Sequence, residues 1–283
     1  MEYYWPVPRC RIENMSYVFV EHTLRQMPPG TLPIGLPHAG EIHKNFKVKG
    51  LTSRARRQVA KIMGKTPVNA YALGQVILEE CVEVLGPYQQ KDFPPKILDH
   101  LSAIDREYLC WMAVLNNYQP PYDDLLVRSI DFQCERCGHY DTGILDPWDL
   151  KVVNVDPKSW DLQGNQIRYE FLHQGTKYWA TLVNGRIENS IATEQGELED
   201  RMAKLLPQLI VANEQGMPQP FTFEDLERRD FIFTDTLYEA LTLRPLPGVD
   251  PILRFVCPKC KHVQREVFSY LPFLSSGSAA RRD

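Results

Sequence analysis

The chain has 283 residues, 43% apolar and 24% charged, the composition of a soluble globular protein with one large domain or two modest ones. A net charge of −4 gives no global attraction to nucleic acid or membrane, and no apolar run reaches the roughly 18 residues of a membrane-spanning helix. The opening "MEYYWPVPRCRIENM" lacks the apolar stretch of a secretory signal, and seven cysteines are too few and too scattered for a disulfide scaffold, so the expectation is a chain that folds in a reducing cytoplasm.

Residues 1–31 are rich in proline and aromatics, Tyr4 and Trp5 among them, with one strand candidate, "SYVFVEH" at 16–22. Such a segment is either an arm for a partner or a strand on the chain's own sheet. "LPIGLPHAGEIHKNFKVKGLT" reads as a turn at Gly35, Pro37 and Gly40, then an alternating strand with Phe46 and Val48 on one face and Lys47 and Lys49 on the other. Thr52 is placed to cap the helix "SRARRQVAKIM". A second helix is expected over about 68–85, with Leu73, Val76, Ile77, Cys81 and Leu85 at helical spacing. A third is expected over about 101–117, with Leu101, Ile104, Tyr108, Leu109, Met112 and Leu115 as its stripe. "NNYQPPYDD" ends it.

Next comes "FQCERCGHYD", and more than a hundred residues later "FVCPKCKHVQ". Each is an aromatic, a spacer, C-x-x-C, one residue and a histidine. A C-x-x-C turn supplies two thiolates from one tight loop, half of the shell of a tetrahedral zinc ion. Cys134 and Cys137 with Cys257 and Cys260 therefore make one four-thiolate zinc site. Apolar residues flank the knuckles (Ile130, Phe132; Phe255, Val263), and Gly138 follows the first, where a positive φ costs little. Each knuckle reads as the tip of a β-hairpin, and the pair as a zinc ribbon whose halves are separated by an insertion. Four cysteines close the shell, whereas catalytic zinc keeps an open position, so the expected role is structural. His139 and His262, each two residues past a second cysteine, are candidates to donate N–H to thiolate sulfur; solvent-facing turns account for them equally well. Cys10, Cys81 and Cys110 read as small buried residues.

Between the knuckles, residues 151–200 look β-rich, with "RYEFL" and "YWATLVNG" alternating and turns at Gly175 and Gly185. "ELEDRMAKLLPQLIVANEQG" is helical, with Pro207 set to kink or divide it. "TFEDLERRDFIFTDTLYEAL" reads as helix and "PILRFVCPKC" as the second ribbon strand, while the tail "SSGSAARRD" has a disordered composition. A repeat emerges: Asp105 precedes Cys134 by 29 positions and Asp230 precedes Cys257 by 27. The fold class expected is α+β, two related helix–strand–knuckle halves clasped by the split ribbon, with a β-rich insertion. The segments are 1–31, an N-terminal arm; 32–150, the first half; 151–225, the insertion and a helix; 226–272, the second half; and 273–283, a flexible tail.

"LPIGLPHAGEIHKNFKVKGLTSRARRQVAKI", "LSAIDREYLCWMAVLNNY" leading into "CERCG", and "WDL" at 148–150 together resemble the zinc-containing baseplate hub-assembly proteins of T-even-type contractile phage tails and related proteins of contractile injection systems. The likeness covers roughly residues 32–150, with the second knuckle beyond it. It implies a non-catalytic structural or assembly component of a tail baseplate. Its partners would be other tail proteins in a symmetric assembly, and it would be found in the host cytoplasm during assembly and in the virion once incorporated. The aromatic arm with Tyr4 and Trp5, and the basic helix with Arg54, Arg56 and Arg57, are the expected partner surface.

The motifs of common catalytic sites (G-x-S-x-G, H-E-x-x-H, the P-loop, G-x-G-x-x-G) do not occur. The H-x-E that a zinc deaminase places ahead of P-C-x-x-C is also missing. The alternative reading is a zinc-ribbon nucleic-acid-binding protein. It rests on Lys44, Lys47, Lys49, Arg54, Arg56, Arg57, Lys61 and Lys65, eight cations without an intervening acid. Phe46 is the lone aromatic among them, so no base-stacking platform accompanies the charge.

Overall fold

A computed structural model describes residues 19–65, 68–118, 127–156, 161–163, 165–192, 198–212, 221–229, 232–234, 247–250 and 252–274. The chain opens with β1 (Phe19–Thr23) and continues into a hairpin of β2 (Thr31–His38) and β3 (Glu41–Val48). The stretch expected to turn at Gly35 and Pro37 is thus a strand, and the reversal falls at Ala39 and Gly40, both at positive φ. The strand tolerates Gly35 because the pairing register shifts between Thr31 and Leu36. Gly35 itself sits at φ +112, where a Cβ would lie 2.6 Å from the Ile42 side chain, so only glycine fits.

Thr52 caps α1 (Ser53–Met63) as expected, its hydroxyl accepting from the Ala55 N–H at 3.1 Å. The second helix, α2 (Ala70–Cys81), stops short of the expected boundary. Val82–Leu85 forms β4, which pairs with β3 and with the short β5 (Tyr88–Gln89). Two β-branched valines in four residues and an open strand edge outweigh the helical spacing that had included Leu85. The third helix, α3 (Ala103–Leu115), is capped by Ser102, and Tyr108, Leu109, Trp111 and Val114 on it are buried.

Two hairpins follow the pattern expected of the knuckles, β6 (Arg128–Gln133) with β7 (Tyr140–Leu145), and later β14 (Ile252–Val256) with β15 (Val263–Val267). Between them lie β8 (Lys151–Val155) and the sheet of β9 (Asp161–Gln163), β10 (Gln166–His173), β11 (Thr176–Thr181) and β12 (Ile210–Ala212). The helices here are α4 (Gly185–Ala192), α5 (Leu198–Leu209) and α6 (Phe223–Glu227). β13 (Gly248–Val249) precedes the second hairpin, and α7 (Leu271–Leu274) ends the described chain.

The segment boundaries shift accordingly. Of the two readings of the N-terminal segment, residues 19–23 take the second: β1 pairs antiparallel with β8, whose other edge holds β13. Residues 151–155 therefore sit in this sheet, and the β-rich insertion begins at Asp161. Gly185 is the first residue of α4 and no turn. Its Cβ would lie 2.8 Å from Arg106 Nη1, so the glycine permits a close approach to α3. Pro207 lies in the last turn of α5, which ends two residues later without a division. The long helix expected over 222–241 is interrupted after α6, where the Arg228 N–H closes onto the Glu224 and Leu226 carbonyls, and residues 232–234 are helical again. The repeat of Asp105 by Asp230 falls outside the described residues. What the described second half shares with the first is the hairpin.

Two apolar cores result. One gathers α1, α2 and α3 against β2–β4 and includes Val152 and Val249. The other lies between β10, β11 and the helices α4–α6, with Tyr169, Phe171, Tyr178 and Phe233 among its residues. β2 serves both: Leu32 and Leu36 enter the first and Ile34 the second, the register shift at Gly35 turning Ile34 across.

A buried polar node sits at this junction. Asp105, fully buried in the first turn of α3, accepts from the Ile34 and Gly35 N–H groups, each at 2.9 Å, and from the Ser102 hydroxyl at 3.1 Å. Lys44 Nζ donates to Asn154 Oδ1 and the Val155 carbonyl, each at 2.6 Å, and to the Pro33 carbonyl at 3.1 Å, so all three of its N–H groups are used. Nearby, Arg106 pairs with Glu188 of α4 at 2.8 Å and donates to the Leu98 carbonyl.

Burial pushes the Asp105 carboxyl up from 3.8 to about 6, against the pull of its three donors and the Lys44 charge. Burial lowers Lys44, against Asp105 and Asp156. Because the folded pKa lies above the unfolded one, the unfolded chain releases this proton first as pH rises through the interval. The contribution of Asp105 to stability therefore falls between about pH 4 and about pH 6 and is constant above. The urea midpoint of the wild type relative to Asp105→Asn is expected to fall from about pH 5 to about pH 7. Metal loss at the acid end is common to both proteins and cancels. A difference independent of pH contradicts the assignment.

Candidate metal centre

Each knuckle is a six-residue loop closing a two-stranded ladder. Gln133 pairs with Tyr140 before the first loop, and Val256 with Val263 before the second. The loops share their hydrogen bonds. The Cys134 N–H donates to the His139 carbonyl and the Gly138 N–H to the Cys134 carbonyl, both at 2.8 Å. At the equivalent places the Cys257 N–H donates to the His262 carbonyl at 2.8 Å and the Lys261 N–H to the Cys257 carbonyl at 2.9 Å. The contribution of His139 and His262 to these loops is thus backbone; the His139 N–H also donates to the Cys137 sulfur.

The closing residue takes positive φ in both, +67 at Gly138 and +59 at Lys261. The left-handed region disfavours a residue with a Cβ by roughly 1 kcal/mol. Lys261→Gly is therefore expected to stabilise the metal-loaded protein by about 0.5–1 kcal/mol, and Gly138→Ala to destabilise it by a similar amount. A Cβ at Gly138 has no atom closer than 3.9 Å, so the second effect is one of backbone alone. Denaturant midpoints at saturating metal check both, and a fall with Lys261→Gly or a rise with Gly138→Ala would contradict the equivalence.

The hairpins meet through apolar inner faces, Phe132 against Phe255 with ring centroids 4.7 Å apart and Gly143 under the Phe255 ring. Buried Gln264 reaches across, its Oε1 accepting from the Glu135 N–H at 3.3 Å. The packing brings all four sulfurs within 4.8 Å of one another. Cys134 Sγ lies 3.6 Å from Cys260 Sγ, and Cys137 Sγ 3.6 Å from Cys257 Sγ. A tetrahedral ion with metal–sulfur bonds of about 2.3 Å sets its sulfurs about 3.8 Å apart. The spacing fits one metal ion, and the ligands come in pairs from segments more than a hundred residues apart. Sulfurs this close resist joint ionisation without a cation. The Cys260 and Lys259 N–H groups favour the Cys257 thiolate, while the Cys137 thiol, despite the His139 N–H, is pushed up by burial and its three sulfur neighbours.

The remaining described cysteines are not ligands. Cys81 and Cys110 are buried, and burial pushes their thiols up to about 11 and about 12; Cys10 lies outside the described residues. Of the expected partner surface, Tyr4 and Trp5 also lie outside them. Arg54 pairs with Glu80 of α2 at 3.2 Å, while Arg56 and Arg57 are exposed and meet no carboxylate among the described residues. The basic stretch is partly spent within the chain, since Lys44 is in the buried node and Lys47 meets Glu83 at 2.9 Å, with Lys49 at 4.0 Å. No described helix is long and apolar enough to cross a membrane.

Sequence reasoning missed the acceptor role of Asp105, the cross-knuckle Gln264 and the positive φ of Lys261. For the last a signal existed, since Lys261 stands where the first knuckle has Gly138. Compared with family models, with curated proteins and with solved structures, the chain matches none.

Proposed function

We propose that the chain is a non-catalytic structural or assembly component of a contractile-tail baseplate, held together by one zinc ion. The closed four-sulfur shell carries the structural part of this reading. An ion with four protein ligands has no position left for a water or substrate, and its ligands tie together segments distant in the chain. Zinc is favoured because it takes four thiolates tetrahedrally and has no redox chemistry. The baseplate part rests on the likeness over residues 32–150. Its quoted stretches contribute Gly35, Thr52 and Asp105, each with a specific structural role. The proposed contact surface is the arm with Tyr4 and Trp5 together with Arg54, Arg56 and Arg57 on α1. Against nucleic acid, four of the eight cations between Lys44 and Lys65 have partners within the chain.

The test is to delete the coding sequence from the parent genome and image the particles. Loss of complete baseplates, restored by the wild-type chain but poorly by one lacking residues 1–18, is expected. Normal yields of infectious particles after the deletion would overturn the reading.

A further inference from the structure

The outer faces of the two ribbon hairpins are exposed, and their central rows carry opposite charge. On the second hairpin, Val256 and Val263 stand opposite each other at the knuckle end, 56% and 49% exposed. The next row holds Arg254 opposite Arg265, and Ile252 begins the third. Like charges directly opposite destabilise a ladder, and neither arginine meets a carboxylate among the described residues. Such a pair suits an anion supplied from outside. On the first hairpin, Tyr140 lies at the knuckle end, 70% exposed, and Ile144 at the other, 79% exposed. The row between them holds Asp131 opposite Thr142, whose hydroxyl donates to the Asp131 carboxylate at 2.8 Å.

We propose that the outer face of the second hairpin docks on the outer face of the first hairpin in another copy of this chain. Rows on both are two residues apart, about 7 Å. Laid face to face, Tyr140 and Ile144, which stand opposite Gln133 and Ser129, meet the apolar residues of the second hairpin while the arginine pair meets the Asp131 row. The contact joins two different surfaces, so it builds a ring, a two-fold in which it is made twice, or an open filament, according to the rotation between copies. Nucleic acid is the poorer occupant: valines flank the arginines, and the face carries no aromatic on which a base could stack. Two strands by three rows give a few hundred Å² per partner, well under the roughly 800 Å² of a tight interface. The association is therefore weak, in the micromolar range or above, and sensitive to salt. This inference does not depend on the baseplate reading.

Sedimentation of the full metal-loaded chain, from micromolar to several hundred micromolar, tests it. The wild type is expected to associate reversibly, more weakly as salt rises. Arg265→Glu alone and Asp131→Arg alone should each weaken association at least tenfold. Mixed together, the two should recover it, because the unmutated Asp131 face of one variant meets the unmutated arginine face of the other, and the new glutamate faces the new arginine. Metal content and melting temperature verify the fold of each variant; if either departs from wild type, Arg265→Gln and Asp131→Asn replace them, each expected to weaken association less. A wild type that stays monomeric throughout overturns the proposal, as does a mixture that fails to recover. Arg265-dependent binding of random duplex DNA by a monomeric chain also overturns it and makes the face a nucleic-acid surface.

Discussion

Cys257→Ser is expected to release the metal and to unlock both ribbon hairpins, including the first, which lies more than a hundred residues away in the chain. A closed thiolate site contributes on the order of 10 kcal/mol to folding, comparable to the whole stability of an ordinary domain. Leu145 and Leu253 rest on the first core, but little else joins one hairpin to the other. Each half is a two-stranded hairpin, marginal alone in water. Apart from the metal, they meet through the Phe132–Phe255 stack, Gly143 and the Gln264 side chain. The loss should extend past β15, because Phe268 and Tyr270, which follow it, pack on Trp111 of α3 at 6.0 and 5.8 Å between centroids. The first core, built from α1–α3 and β2–β4, should survive. Hydrogen exchange is expected to show protection lost over 128–145 and 252–267 and retained in α2 and α3. A variant that melts like the wild type would mean that the clasp does not stabilise the fold.

Asp105→Ala is expected to destabilise the protein by about 3–5 kcal/mol, the range for removing one partner of a buried charged network. The substitution leaves the buried Ile34 and Gly35 N–H groups without their acceptor and the half-buried Lys44 without its neighbouring carboxylate. Asp105→Asn keeps one acceptor oxygen and should lose less. Because Ile34 belongs to the second core and α3 to the first, the damage should appear as uncoupling of the two cores, with a broadened urea transition. A loss below about 1 kcal/mol would show that the node is not structural.

The legible parts of this protein were those whose signals are local. The knuckle hairpins follow from C-x-x-C spacing and flanking apolar residues, and α1 from Thr52 and the helical pattern behind it. What could not be read depends on partners distant in sequence. Gly35 and Pro37 suggest a turn until β3 supplies a ladder and Asp105, some 70 residues on, takes the N–H groups that the shifted register leaves over. Val82 and Val84 leave the helical pattern because β3 offers them an edge. The cations from Lys44 to Arg54 look like a free basic patch until Asn154, Glu83 and Glu80 arrive from other elements. Lys261 looks like an ordinary lysine until the equivalence of the two knuckles places it at positive φ.

The central claim is that Cys134, Cys137, Cys257 and Cys260 share one zinc ion. X-ray absorption on the purified chain, with elemental analysis of the same sample, tests it most directly. The account predicts one zinc per chain in a shell of four sulfurs at about 2.3 Å. A chain without metal, with two ions, or with nitrogen or oxygen in the shell would contradict it.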